Sequence, residues 1–255
     1  MEICPFCDTE QTKASAICEG CGRNIFSFKK RYQIPPVWTI KDIFAVYGVY
    51  FFFAVGFQII LGFGLFGFQV EEKWQVFLSL LASDLGEIFL VWIIYLYIKN
   101  FYSEKFLVDL RLRSFHLGHL IWIVGFVVIY YFFVNFIPKL DVTPPLMSKI
   151  ASSHPATLLY LADSILIAPF CEELFWRGFL YPVLKKSTGF FGAIVLGSVL
   201  FAMMHLPNVL PAVERVSIFF SIAVVLTFAR EITDSTWSSI VLHTLFNATV
   251  IMKHF

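Results

Sequence analysis

The sequence predicts an all-α, multi-span membrane fold of about seven or eight transmembrane helices, preceded by a small N-terminal zinc ribbon. Of the 255 residues, 58% are hydrophobic and only 15% charged, and the mean hydropathy is +0.77, a balance that water-soluble domains of this size do not have. Cysteine placement predicts the ribbon, because four of the five Cys fall within the first 21 residues, a clustering that suits a metal site better than a disulfide scaffold. A formal charge of +1 leaves no basic surplus for nucleic acid, and 31 Phe, 10 Tyr and 6 Trp suit lipid-facing and interfacial positions.

The ribbon is assigned to residues 1–28. Cys4-x-x-Cys7 and Cys18-x-x-Cys21 form two knuckles ten residues apart, a spacing at which four thiolates close a tetrahedral zinc site. Gly20 and Gly22 give the second knuckle a permissive backbone, and so short and polar a segment needs the metal to fold. A redox dithiol pair is the alternative, but no thioredoxin-like strand and helix pattern surrounds the knuckles. Four thiolates leave zinc no open position, so the site reads as structural. Reduced thiols place this end in the cytosol, and the polar start predicts no secretory leader. Residues 29–42 read as a linker, basic at Lys29, Lys30, Arg31 and Lys41 and stiffened by Pro35-Pro36.

Residues 43–255 read as the polytopic membrane domain. Spans are expected at 43–70, 74–98, 119–137, 157–184, 190–206, 213–229 and 236–252, the last two short enough that one could be re-entrant. With the N-terminus inside, thirteen of the 19 Lys and Arg fall on the cytosolic side and five outside, with Arg177 buried; this asymmetry is the one that fixes orientation.

Ionisable groups inside an apolar span each cost on the order of 2.5–3.5 kcal/mol, and so mark functional sites. The fourth span carries Glu172, Glu173 and Arg177, the fifth ends at His205, and the seventh holds His243 and Asn247. Glu173 and Arg177 share a helix face at i, i+4, whereas Glu172 is rotated by about 100° and stays free. His243 and Asn247 also share a face, which predicts a polar neighbour. At about 1.5 Å per residue, Glu172, His205, His243 and Asn247 lie roughly 10–22 Å from the cytosolic ends of their spans. Similar depth on three helices predicts one cavity; the simpler reading of each residue alone is interhelical hydrogen bonding. Asp84 and Glu87 in the second span could line the same cavity, pair with Arg177, or mark a shorter span. Cys171 reads as packing.

Glu172-Glu173-x-x-x-Arg177, Phe201-x-x-x-His205 and His243-x-x-x-Asn247, in this order on successive apolar segments, resemble the three motifs of the CPBP family. These are the CAAX-protease and bacteriocin-processing intramembrane proteases, also called the Abi family. The resemblance covers residues 157–252, and Gly178 after Arg177 fits it; the ribbon lies outside the family core. It implies an intramembrane endopeptidase in which Glu172, as general base, and His205 activate the attacking water. His243 and Asn247 would stabilise the oxyanion, while Glu173 and Arg177 hold the motif helix in register. A catalytic metal, zinc if any, stays open: Glu172, His205 and His243 could furnish a His/His/carboxylate set, with Glu173 then left as base. Against that, no H-E-x-x-H is present.

The expected substrate is a membrane-associated protein or peptide, with lipid around the domain and a cytosolic protein partner conceivable for the ribbon. The appended ribbon suggests a prokaryotic cell membrane. Alternatives from other classes are a non-catalytic scaffold or bacteriocin-immunity protein, and a small transporter, against which the absence of an evident internal repeat or paired broken helices counts.

Overall fold

The computed structural model describes residues 2–3, 10–11, 20, 38–102, 105–115, 118–119, 121–122, 124–126, 128–129, 145–206 and 216–251. The chain divides into two compact units, Met1–Val37 and Trp38–Phe255. In the first, β1 (Glu2–Ile3) pairs antiparallel with β2 (Glu10–Gln11), with Glu2 opposite Gln11 and Ile3 opposite Glu10. Cys4, Cys7, Cys18 and Cys21, and with them the expected zinc site, lie outside the described residues.

The second unit is helical: α1 (Ile40–Gly67), α2 (Glu72–Phe101), the short α3 (Phe106–Asp109), α4 (Pro145–Ala151), α5 (His154–Ala162), a π-helical segment π1 (Asp163–Ile167), α6 (Ala168–Glu173), a second segment π2 (Leu174–Leu180), α7 (Tyr181–Met204), α8 (Val216–Thr233) and α9 (Thr236–Ile251). Among the described residues, four helical stretches are long and apolar enough to cross a membrane: α1, α2, the continuous run His154–Met204, and α8. The sequence suggests seven spans. The expected span at 119–137 falls mostly outside the described residues, and α9, at 16 residues, is shorter than the four.

The two spans expected at 157–184 and 190–206 lie in one 51-residue run because residues 185–188 stay helical. The chain turns at a single residue, Gly189, with φ 75° and ψ −179°, a backbone region open in practice only to glycine. Beyond that turn the run folds back on itself. A Cβ on Gly197 would sit 3.7 Å from Leu184 Cδ1, although thirteen residues of straight helix would separate them by about 20 Å.

The start of α1 is pinned at its polar end. Asp42 Oδ2 accepts from the Thr39 backbone N–H at 2.5 Å and from Thr39 Oγ1 at 2.9 Å, which satisfies donors that a helix start leaves open. Tyr97 of α2 donates its hydroxyl to Asp42 Oδ1 at 2.5 Å. Trp38, 1% exposed, donates Nε1–H to the Phe179 carbonyl at 2.9 Å and stacks on the Phe179 ring. Further along α1 and at the residue after its end, Phe52, Phe63, Phe66 and Phe68 are 74–86% exposed, an arrangement whose apolar surroundings only lipid or another apolar surface supplies.

Residues 110–113 clasp the turn between α8 and α9. Arg111 Nη1 donates to Asp234 Oδ2 at 2.9 Å, Thr236 Oγ1 donates to the Leu110 carbonyl at 2.6 Å, and the Thr236 N–H donates to the Arg111 carbonyl at 2.9 Å. Burial holds the Arg111 guanidinium below its ordinary range. Leu110 packs so closely on π2 that a Cβ at Gly178 would lie 3.3 Å from Leu110 Cβ; glycine here permits the approach.

Candidate active site

The site is built on a helix whose hydrogen-bond ladder is interrupted at Pro169. Proline has no N–H, so the carbonyls that would bond position 169 lose their donor: Ile165 in α-helical spacing and Ser164 in the i→i+5 spacing of π1. Those two carbonyls are the ones α9 caps. Thr244 Oγ1 donates to the Ile165 carbonyl at 3.0 Å, and Asn247 Nδ2 donates to the Ser164 carbonyl at 2.8 Å. Backbone groups freed inside an apolar bundle need such partners. The polar neighbour expected for the His243/Asn247 face is thus π1 together with α6.

One turn earlier on α9, His243 meets Glu173. Glu173 is fully buried, and its Oε1 lies 2.7 Å from Arg177 Nη1 and 2.9 Å from His243 Nδ1. The i, i+4 pairing read from the sequence is therefore present, with His243 as a third member. Arg177, 2% exposed, spends its other arm on the Ala223 carbonyl of α8 at 3.1 Å and rests its guanidinium 4.8 Å from the Phe201 ring centroid. Arg230 Nε in turn donates to the Arg177 carbonyl at 3.4 Å. The network joins α6 and π2 to α8 and α9, so the motif helix is held by two neighbouring helices.

Glu172 points elsewhere. Its Oε1 lies 3.8 Å from His205 Nε2, and both side chains are partly exposed, at 20% and 17%. His205 is fixed on three sides: its Nδ1 lies 2.9 Å from the Phe201 carbonyl, and the ring is sandwiched between Phe201 at 4.5 Å and Phe219 at 4.4 Å. A carbonyl oxygen only accepts, so Nδ1 carries the proton and a neutral ring turns the bare lone pair of Nε2 toward Glu172. At 3.8 Å the two groups are too far apart for a direct hydrogen bond. Glu172 Oε2 is buried with no hydrogen-bond partner. Phe201, 1% exposed, links the two halves, since its ring also meets that of His243 edge-on at 6.1 Å.

Asp84 and Glu87 of α2 do not pair with Arg177. Glu87 interacts electrostatically with Glu172, and Asp84 with Asp163 of π1; none of Asp84, Glu87 and Asp163 forms an ion pair with Lys, Arg or His among the described residues. Asp163 was findable in the sequence by the same test that marks Asp84, an ionisable group inside an apolar span. Phe219 was not, because nothing separates it from the other 30 phenylalanines. Cys171 is buried as a free thiol. Among the described residues, no group of three or more His, Cys, Asp or Glu side chains is arranged to hold a metal ion, and the Nδ1 of His243 is taken up by Glu173.

Residues 154–249 match the family model described as Type II CAAX prenyl endopeptidase Rce1-like. Over 154 residues the chain is 27% identical to the UPF0177 protein YbdI of Lactococcus lactis, covering 56% of this chain and 80% of that protein. No solved structure matches. The match spans every residue of the site just described except Asp84 and Glu87 of α2. The protein is a membrane protein with apolar spanning helices, and its residues 154–249 are similar to the CAAX prenyl endopeptidases.

Proposed function

We propose that this chain is an intramembrane endopeptidase that hydrolyses a peptide bond in a membrane-associated protein or peptide with a water activated by Glu172 and His205. The observation that carries the reading is the Glu172 Oε1 to His205 Nε2 separation of 3.8 Å. It leaves no direct bond, but a water beside the pair can touch both. The carboxylate of Glu172 takes one water proton as general base. The lone pair on His205 Nε2 accepts the second O–H and aims the oxygen at the scissile carbonyl carbon. The clamp of Phe201 and Phe219 keeps the imidazole from rotating away, which is the positional demand of such a step.

Attack gives a tetrahedral oxyanion, and Asn247 and His243 are the donors on the facing helix. One N–H of the Asn247 amide is spent on the Ser164 carbonyl, which leaves the second for the oxyanion. The general base is Glu172 in this account, since Glu173 is sealed from water and already holds Arg177 and His243. The similarity of residues 154–249 to CAAX prenyl endopeptidases supports the reaction class. The four N-terminal Cys belong in this account to a structural zinc ribbon in the cytosol, with a prokaryotic cell membrane as the site of action.

The test is cleavage by Glu172→Gln and His205→Ala variants that remain folded. Loss of cleavage is expected, and unchanged cleavage of the same substrate by either would overturn the reading.

A further inference from the structure

Glu173 and His243 define a second acid and imidazole pair, distinct from Glu172 and His205. Arg177 Nη1 donates to Glu173 Oε1 at 2.7 Å with both side chains buried, a geometry that belongs to an ionised carboxylate. An ionised carboxylate only accepts, so the contact of 2.9 Å from His243 Nδ1 to the same oxygen is an Nδ1–H donating. Nδ1 is the ring nitrogen for which a hydrogen bond is seen among the described residues, and the side chain keeps 7% of its surface exposed, so Nε2 is the nitrogen left for a substrate. A neutral His243 so held offers a lone pair at Nε2. It can donate from Nε2 only when both ring nitrogens carry protons, and a buried anion at Nδ1 is what supports the charged ring.

We infer that Glu173 is a positioning residue for His243: it fixes the ring through Nδ1–H, turns Nε2 to the substrate side, and serves as counter-ion when that nitrogen donates to the oxyanion. Arg177 holds Glu173 in place by its bonds to Glu173 and to the Ala223 carbonyl. This goes beyond holding a helix in register, because it assigns the carboxylate a role in the proton inventory of a specific ring. The inference rests on the endopeptidase reading for its catalytic consequence, but not for its structural content.

The test is ¹⁵N NMR of the full-length, histidine-labelled protein in detergent, with the His243 signal identified by its loss in His243→Asn. The wild-type ring is expected to carry Nδ1–H. Glu173→Gln removes the charge and admits the Nε2–H tautomer, while Glu173→Asp keeps a charged acceptor and restores Nδ1–H in part. With a membrane-associated peptide that the wild-type protein cleaves as probe, Glu173→Gln lowers kcat by ~10²–10⁴-fold, the range for a mis-set imidazole, and leaves KM unchanged. Glu173→Asp recovers part of that loss.

A wild-type His243 found as the neutral Nε2–H tautomer overturns the inference without any variant. So does a Glu173→Gln protein whose His243 spectrum, or whose kcat, matches wild type. Should Glu173→Gln fail to fold, the wild-type spectrum and Glu173→Asp decide the matter alone. A spectrum as expected, together with cleavage indifferent to Glu172→Gln, would confirm the pairing while removing the endopeptidase reading.

Discussion

Asn247 of α9 donates its amide N–H to the Ser164 carbonyl of π1 at 2.8 Å, and Thr244 does the same one carbonyl further on at 3.0 Å. Asn247 therefore has a structural task as well as the oxyanion task assigned to it. The two tasks separate by mutation. Thr244→Val removes only a tie and is expected to cost about 1 kcal/mol of stability, read as a lower Tm, with cleavage close to wild type. Asn247→Ala is expected to lower Tm similarly and also to reduce kcat by ~10²-fold or more. Equal kinetic effects from the two substitutions would remove the oxyanion role.

The Glu173–Arg177 pair is fully buried, so its members cannot be removed one at a time without stranding a charge. Arg177→Met is expected to destabilise the protein by about 3–5 kcal/mol. The double variant Glu173→Leu with Arg177→Met should recover much of that loss while remaining inactive. Denaturation of both proteins in detergent checks this, and a double variant no more stable than Arg177→Met would show that the pair is not the source of the cost.

Gly189 carries the reversal of the long helical run. Nothing lies within 4 Å of the position a Cβ would take, so crowding plays no part in substitution there. The cost of Gly189→Ala comes from φ 75° and ψ −179° and is expected at about 1–3 kcal/mol. Gly197→Ala, next to Leu184 at ordinary contact distance, is expected to cost less. Thermal denaturation of the two variants ranks them, and the reverse order would contradict the turn.

The proposal that Cys4, Cys7, Cys18 and Cys21 hold a structural zinc makes a separate prediction about metal content. Purified full-length chain should hold one zinc, Cys4→Ser with Cys7→Ser should hold none, and His205→Ala should retain it, as measured by plasma mass spectrometry. Zinc that survives the double Cys substitution and leaves with His205→Ala would place a metal among the intramembrane residues instead.

The sequence told more about the site than about the fold around it. Buried charge in an apolar span is expensive and therefore conspicuous, so Glu172, Glu173, Arg177, His205 and His243 were all legible. The i, i+4 geometry correctly separated a paired glutamate from a free one. Span counting from hydropathy was coarser: Lys185 and Lys186 looked like a loop, yet residues 185–188 remain helical and one glycine makes the turn. The bond from Glu173 to His243 could not be read at all, since the two are 70 positions apart and only the packing of α9 on α6 brings them together. Nor could it be read that Thr244 and Asn247 would take over the carbonyls that Pro169 leaves open.

The central claim is that Glu172 and His205 together activate water for peptide hydrolysis, and the most direct measurement compares new protein termini in membrane fractions. Source cells lacking the gene would be supplied with wild type, Glu172→Gln or His205→Ala at equal levels, and termini read by mass spectrometry. The account predicts at least one terminus that appears with wild type and is absent with both variants. An identical set of termini for wild type and Glu172→Gln would contradict it.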